Sequence, residues 1–166
     1  MVMRSIFLCA DHLDPKVQDF RERNDPLGKL VEPHITLVFP FASALSDEAL
    51  ISHVETQVAS TNQFQASLSR KPIVDAGYVY FSILVGLDQV SRLHDRLYDG
   101  PLVPHLENRP YVPHITIGRE EGMDANRIAD EASSLNASAT FSVSKLKIER
   151  IGTGGASQVI KTIWLK

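Results

Sequence analysis

The sequence predicts an α+β fold built from two related halves, each an antiparallel sheet with helices on one face. Three observations carry that prediction. Runs that read as strands alternate with runs that read as amphipathic helices. The order strand, helix, strand, helix, strand is stated twice along the chain. Each statement holds the same four residues at the same place, Pro33-His34-Ile35-Thr36 and Pro113-His114-Ile115-Thr116. A duplication of this kind predicts two lobes about a pseudo-two-fold axis, with the repeated strands meeting at a shared central cleft. Two long copies do not make a solenoid.

Each element has a local reason. Ser5 to Ala10 is apolar and free of breakers, so it reads as a strand. Asp14 caps a helix with Pro15 at its first position, running to about Glu22 with Val17 and Phe20 inward. Asn24 to Gly28 reads as a turn. The first repeat strand runs from His34 to Phe39, and Pro40 is expected to end it because proline donates nothing to a sheet ladder. Ser46 caps a helix from Asp47 to Ala59 that presents Leu50, Ile51, Val54 and Val58 on one side. Gln63 to Ser69 alternates Phe64, Ala66 and Leu68 with polar residues, as a half-exposed strand does.

The pattern then restarts. Tyr78 to Val85 is a strand, and a helix from Asp88 carries Val90, Leu93 and Leu97 until Asp99-Gly100-Pro101 stops it. A loop through Asn108, Arg109 and Pro110 leads to the second repeat strand, His114 to Gly118. Ala125, Ile128, Ala129 and Ala132 mark another helix. Phe141 to Ile151 is a strand region whose apolar parity changes between Val143 and Leu146, which predicts a bulge or bend. Gly152 to Gly155 is a turn, and Val159 to Leu165 is a closing strand with no counterpart in the first half.

The chain of 166 residues is expected to form a single domain, 1–166, made of two intertwined lobes. Its formal charge of −3 argues against a broad basic surface that tracks a nucleic-acid backbone. A local donor cluster for one phosphate or one nucleic-acid end remains compatible with it. No apolar run approaches the length of a membrane span, and the run Ile6 to Ala10 is too short for a signal-peptide core. The expected location is the cytoplasm. Cys9 is the only cysteine, so no internal disulfide forms, and its strand position suits a small buried hydrophobe.

Chemistry enters with the repeat. Strand side chains alternate, so His34 and Thr36 share one face, as do His114 and Thr116. One His-x-Thr alone is usually structural. Its recurrence in matching segments is hard to explain that way, because buried His and Thr side chains both need hydrogen-bond partners. Histidine titrates near neutrality, so a pair of imidazoles supplies both a base and an acid. The two hydroxyls add donors, and together the four groups cradle a tetrahedral anion. The fitting reaction is in-line attack on a phosphodiester. A metal site is the chemical rival, but a third ligand is missing. Only Glu32 stands near a motif histidine, and Val112 replaces it in the other half. No metal and no cofactor are expected. Gly152 to Gly155 lacks the spacing of a phosphate loop. His12, His53, His94 and His105 read as structural or solvated. Tyr78, Tyr80 and Tyr111 are possible base- or phosphate-binding residues. Arg4, Lys29, Lys71, Lys147 and Arg150 are the candidate cations.

The two tetrads resemble the paired His-x-Thr/Ser signatures of the 2H phosphoesterase superfamily, and the surrounding sequence is similar to its bacterial 2′-5′ RNA ligase-like, RNA 2′,3′-cyclic phosphodiesterase branch. The resemblance extends to Ile6-Phe7-Leu8 and to Phe141-x-Val143-x-x-Leu146, and so covers nearly the whole chain. It implies a bilobal fold with a V-shaped cleft. It implies metal-independent opening of a 2′,3′-cyclic phosphate at a nucleotide or RNA end to a 2′-phosphate. By that resemblance His34 and His114 are the acid–base pair, and Thr36 and Thr116 hold phosphate oxygens. His114 would activate water and His34 protonate the leaving oxygen, although near symmetry leaves the opposite assignment open. The alternatives it brings are a 2′-5′ RNA ligase, a 2′-5′ oligonucleotide phosphodiesterase, or a non-catalytic nucleotide or RNA-end binding protein. The expected partner is a nucleotide or RNA terminus bearing a cyclic phosphate, with no membrane, no obligate protein partner and a monomeric state. The chain is short and acidic for a ligase-like member, so a small cyclic nucleotide or short oligonucleotide end is at least as good an expectation as a long RNA.

Overall fold

The computed structural model describes residues 1–166. In chain order its elements are β1 (Val2–Cys9), α1 (Pro15–Asn24), β2 (His34–Ser43), α2 (Asp47–Val58), β3 (Phe64–Ser67), β4 (Ile73–Asp75), β5 (Tyr78–Ser82), α3 (Leu87–Leu97), β6 (His114–Arg119), α4 (Ala125–Ser133), β7 (Thr140–Val143), β8 (Lys145–Ile151) and β9 (Ser157–Trp164). The α+β class with antiparallel sheets is as the sequence predicts. Asp14 and Ser46 cap α1 and α2, accepting from Lys16 N and Ala49 N. Each such cap contributes about 1 kcal/mol.

The first sheet has the order β2-β1-β8-β9, antiparallel throughout. The second is built on β4-β5-β6. Backbone bonds from Ser69 N to Ser82 O (2.7 Å) and from Leu84 N to Ser67 O (2.8 Å) join β3 to the far end of β5. β3 in turn pairs with β7. Each motif strand, β2 and β6, is therefore an outer strand of its sheet, and the two lie against each other.

The helices trade places. α1 leaves the first sheet and packs on β6, while α3 leaves the second sheet and packs on β2. α2 packs on α3 and β9, and α4 covers β4, β5 and β6. One cluster of buried apolar side chains, including Ile6, Leu37, Val54, Leu93, Ile117 and Ile128, runs through both sheets. Full burial of a Leu or Ile of this kind stabilises by about 1.5–3 kcal/mol relative to exposure. No helix is long and apolar enough to cross a membrane.

Two expectations are corrected, and one strand is added. β2 does not stop at Pro40 but runs to Ser43. As the outer strand it has one unpaired edge, and Pro40 lies in an interruption of the register between Val38 and Phe41. The missing N–H therefore costs no ladder bond. The region Phe141 to Ile151 contains more than a bulge. At Ser144 the chain passes from one sheet to the other, fixed by Ser144 N and Oγ donating to Asp11 Oδ2. The added strand is β4, where the sequence shows no alternating pattern. It is a three-residue strand closed onto β5 by Ala76 and Gly77, both at positive φ, which a two-residue hairpin turn requires.

Candidate active site

The motif strands share a backbone device. In β2, Phe7 pairs with Thr36 but Ile6 pairs with Val38, so Leu37 is an extra residue. In β6, Tyr80 pairs with Thr116 but Val79 pairs with Gly118, so Ile117 is extra. Each strand thus carries a bulge at the residue after its threonine. Before the bulge, alternation buries Ile35 and Ile115 and leaves His34, Thr36, His114 and Thr116 half-buried. After it the parity reverses. Phe39 and Arg119, at matching distances beyond the two histidines, join the histidine face.

That face lines a cleft of about 690 Å³ between the sheets. His34, Thr36, His114 and Thr116 all border it, and so do Tyr78, Tyr80 and Tyr111. The two imidazoles are held alike. Nδ1 of His34 lies 2.7 Å from Glu32 O, and Nδ1 of His114 lies 2.6 Å from Val112 O. A carbonyl only accepts, so each neutral ring carries its proton on Nδ1 and keeps the Nε2 lone pair free. An aromatic ring supports each imidazole. Phe7 lies 4.7 Å from His34 and Tyr80 lies 4.3 Å from His114, between centroids. Burial lowers the pKa of both histidines, against the opposing effect of their carbonyl bonds. Arg21 lowers His34 further, and Arg109 does the same to His114.

Charge breaks the symmetry. Arg109 and Arg119 border the cleft on the second-half side, with Arg109 over Phe39 and Arg119 over Tyr78. Arg21 borders it from α1 but is buried, donating to Gly28 O and Val31 O beside Asp25. None of the cations nominated from sequence lines the cleft. Arg4 is buried and bound to Asp47, Ser43 and Leu45, and Arg150 also pairs with Asp47. Lys147 pairs with Glu32, while Lys29 and Lys71 face solvent elsewhere. His94, expected to be structural or solvated, forms part of the cleft wall. It stacks on Tyr111 at 3.7 Å and 10°, and Tyr111 donates its hydroxyl to Thr36 O at 2.7 Å. No group of three or more His, Cys, Asp or Glu side chains is gathered as a metal site. Cys9, level with His34, has its thiol pKa pushed up to about 12 by burial, so it offers no thiolate.

Comparisons with known proteins agree with this fold. The family model of the 2′-5′ RNA ligase superfamily matches residues 9–155. A protein of Bacillus cereus (strain AH820) named as a phosphoesterase is 28% identical over 124 residues, 72% of this chain and 70% of the relative. Escherichia coli LigT in its apo form superposes with a TM-score of 0.65 at 17% identity, over 100% of this chain and 99% of LigT. The LigT complex with 3′-AMP gives 0.63 at 18% identity, over 99% of each chain. Kluyveromyces marxianus Usb1 with uridine monophosphate gives 0.52 at 12% identity, over 98% of this chain and 97% of Usb1. The match over residues 9–155, together with the fold, means that the chain belongs to the 2′-5′ RNA ligase superfamily, the 2H phosphoesterases.

Proposed function

We propose that the protein is a metal-independent phosphodiesterase that opens a 2′,3′-cyclic phosphate at a nucleotide or RNA end to a 2′-phosphate. The observation that carries this reading is the pair of imidazoles anchored through Nδ1 in one cleft, each with a threonine two residues on. Water attacks phosphorus on the side opposite the 3′ oxygen. One histidine takes the proton of water through Nε2, and the other, protonated, gives its proton to the departing 3′ oxygen. Thr36 and Thr116 hold the non-bridging oxygens, and Arg119 together with Arg109, itself paired with Glu107, borders the same cleft and offsets the negative charge that grows there. The 3′-AMP seen on LigT and the uridine monophosphate seen on Usb1 support a nucleotide as the ligand class.

The test is a panel of 2′,3′-cyclic nucleotides and oligonucleotide ends assayed in excess chelator, with product analysis. The expected product is the 2′-phosphate. His34→Ala and His114→Ala should each lower kcat by 100-fold or more, on the order of the loss of an acid–base group. Full activity in both variants overturns the reading. Binding without turnover across the panel makes the protein an RNA-end binder instead.

A further inference from the structure

The first sheet continues beyond the cleft, and on the side that carries His34 its residues Phe7 and Cys9 are buried together with Val31. Directly paired residues of an antiparallel ladder point to the same side. One row crosses the sheet as Thr36, Phe7, Lys147 and Thr162. The adjacent row starts with His34 and Cys9 and ends with Lys145 and Trp164. Lys161 and Ile163 project to the other side, where Lys161 meets Glu55 of α2 and Ile163 is buried. Trp164 therefore faces the same way as the proposed catalytic histidine.

Trp164 is the only tryptophan of the chain, and it is 66% exposed. A side chain of this size is ordinarily buried. Lys145 Nζ lies 5.0 Å from its ring centroid and is also paired with Asp11. In the next row Lys147 is paired with Glu32, whose carbonyl anchors His34. The Lys145–Asp11 pair beside Trp164 and the Lys147–Glu32 pair beside the motif loop are neighbours on this side of the sheet, in adjacent rows. Three strand spacings of about 4.8 Å separate β2 from β9, roughly 14 Å in all. A mononucleotide centred on the cleft phosphate does not bridge that distance, whereas a few linked nucleotides do. Asp11 and Glu32 neutralise the two lysines, so what this face offers is a flat ring rather than net positive charge.

Resting on the activity proposed above, we infer that Trp164, backed by Lys145, is a base-stacking platform for a nucleotide upstream of the reacting phosphate. The preferred substrate is then a short oligonucleotide end and not a free cyclic mononucleotide. Base–aromatic stacking tolerates any sequence and depends little on salt where no phosphate is neutralised.

Because Trp164 is the sole tryptophan, its fluorescence reads the platform directly. Titration of the full chain with a tetra-adenylate ending in a 2′-phosphate should quench it, and 2′-AMP should not. This readout needs no turnover, so it stands or falls separately from the proposed activity. In kinetics, Trp164→Ala should raise KM for a tetranucleotide with a 2′,3′-cyclic end by about tenfold. It should leave kcat/KM for the cyclic mononucleotide unchanged, and Trp164→Phe should restore most of the loss. Absence of quenching by the oligonucleotide overturns the inference. So does an equal effect of Trp164→Ala on both substrates, or a Trp164→Phe variant as impaired as the alanine.

Discussion

Burial lowers the pKa of both His34 and His114 below the ordinary imidazole value, and that direction sets two pH dependences. The first is kinetic. In the mechanism proposed above the free enzyme acts with one ring neutral and the other protonated, so the bell of kcat/KM would centre on two lowered values. Its optimum should fall on the acid side of ~6.5, the unperturbed histidine pKa. A profile of kcat/KM between about pH 4 and 9 checks this. The second is thermodynamic. Between the lowered folded pKa and ~6.5 the unfolded chain binds more protons than the folded one. The contribution of the two rings is complete above that range and is lost as pH falls through it. Urea midpoints at neutral and acid pH should therefore diverge more in the native protein than in a His34→Gln, His114→Gln double variant. The two histidines and two threonines were legible because they recur at one offset. The arginines were not. Arg109 sits in a loop whose course no periodicity fixes, and strict alternation from His114 puts Arg119 on the wrong face.

The reason lies in the strands, where one extra residue re-aims everything that follows it. Leu37 and Ile117 are both inserted after the threonine, and the residues brought into the cleft differ between halves, Phe39 in one and Arg119 in the other. A duplicated strand thus supplies the same cleft-facing residues up to the bulge and different ones beyond it. The second bulge also brings β6 close to two helices. A Cβ on Gly118 would stand 2.7 Å from Ile128 Cγ2 of α4 and 3.4 Å from Asn24 Cβ of α1. Val38 occupies the corresponding place in β2, so the requirement for glycine belongs to the packing of α1 and α4. Gly118→Ala should destabilise by about 1–3 kcal/mol, as overpacking does, read from the shift in urea midpoint. Arg119 follows directly, so kcat should fall as well. Elements with a strong apolar period were readable in the sequence for the same physical reason that they pack. The bulges of the motif strands and β4 were not, and at Ser144 the parity change located the bend but not the change of sheet, because each depends on which strand lies alongside.

At the scale of the molecule, two crossing helices tie each motif strand to the opposite sheet. Arg21 follows Cys9 by as many residues as His94 follows Ser82. Both side chains are buried, and both grip the loop that leads to their own motif strand. Arg21 of α1 holds Gly28 and Val31 ahead of β2, while α1 itself packs on β6. His94 of α3 stacks on Tyr111 ahead of β6, while α3 itself packs on β2. Tyr111 then reaches across to Thr36 O, and Tyr98, at the C-cap of α3, accepts from Phe39 N at 3.1 Å. The position of Thr36 is therefore set partly by the loop that carries the anchor of His114. Tyr111→Phe keeps the ring and its stack but removes the crossing bond. The stability lost should be about 1 kcal/mol, the net worth of one such hydrogen bond. If Thr36 holds the phosphate as proposed, the catalytic loss should be larger than that, because a shift of under 1 Å in such a group is multiplied in rate. We expect kcat to fall about tenfold or more with KM little changed, measured beside the urea midpoint of the same variant. A fall in kcat no larger than the stability loss, or a rise in KM alone, would show that the two motif strands are positioned independently.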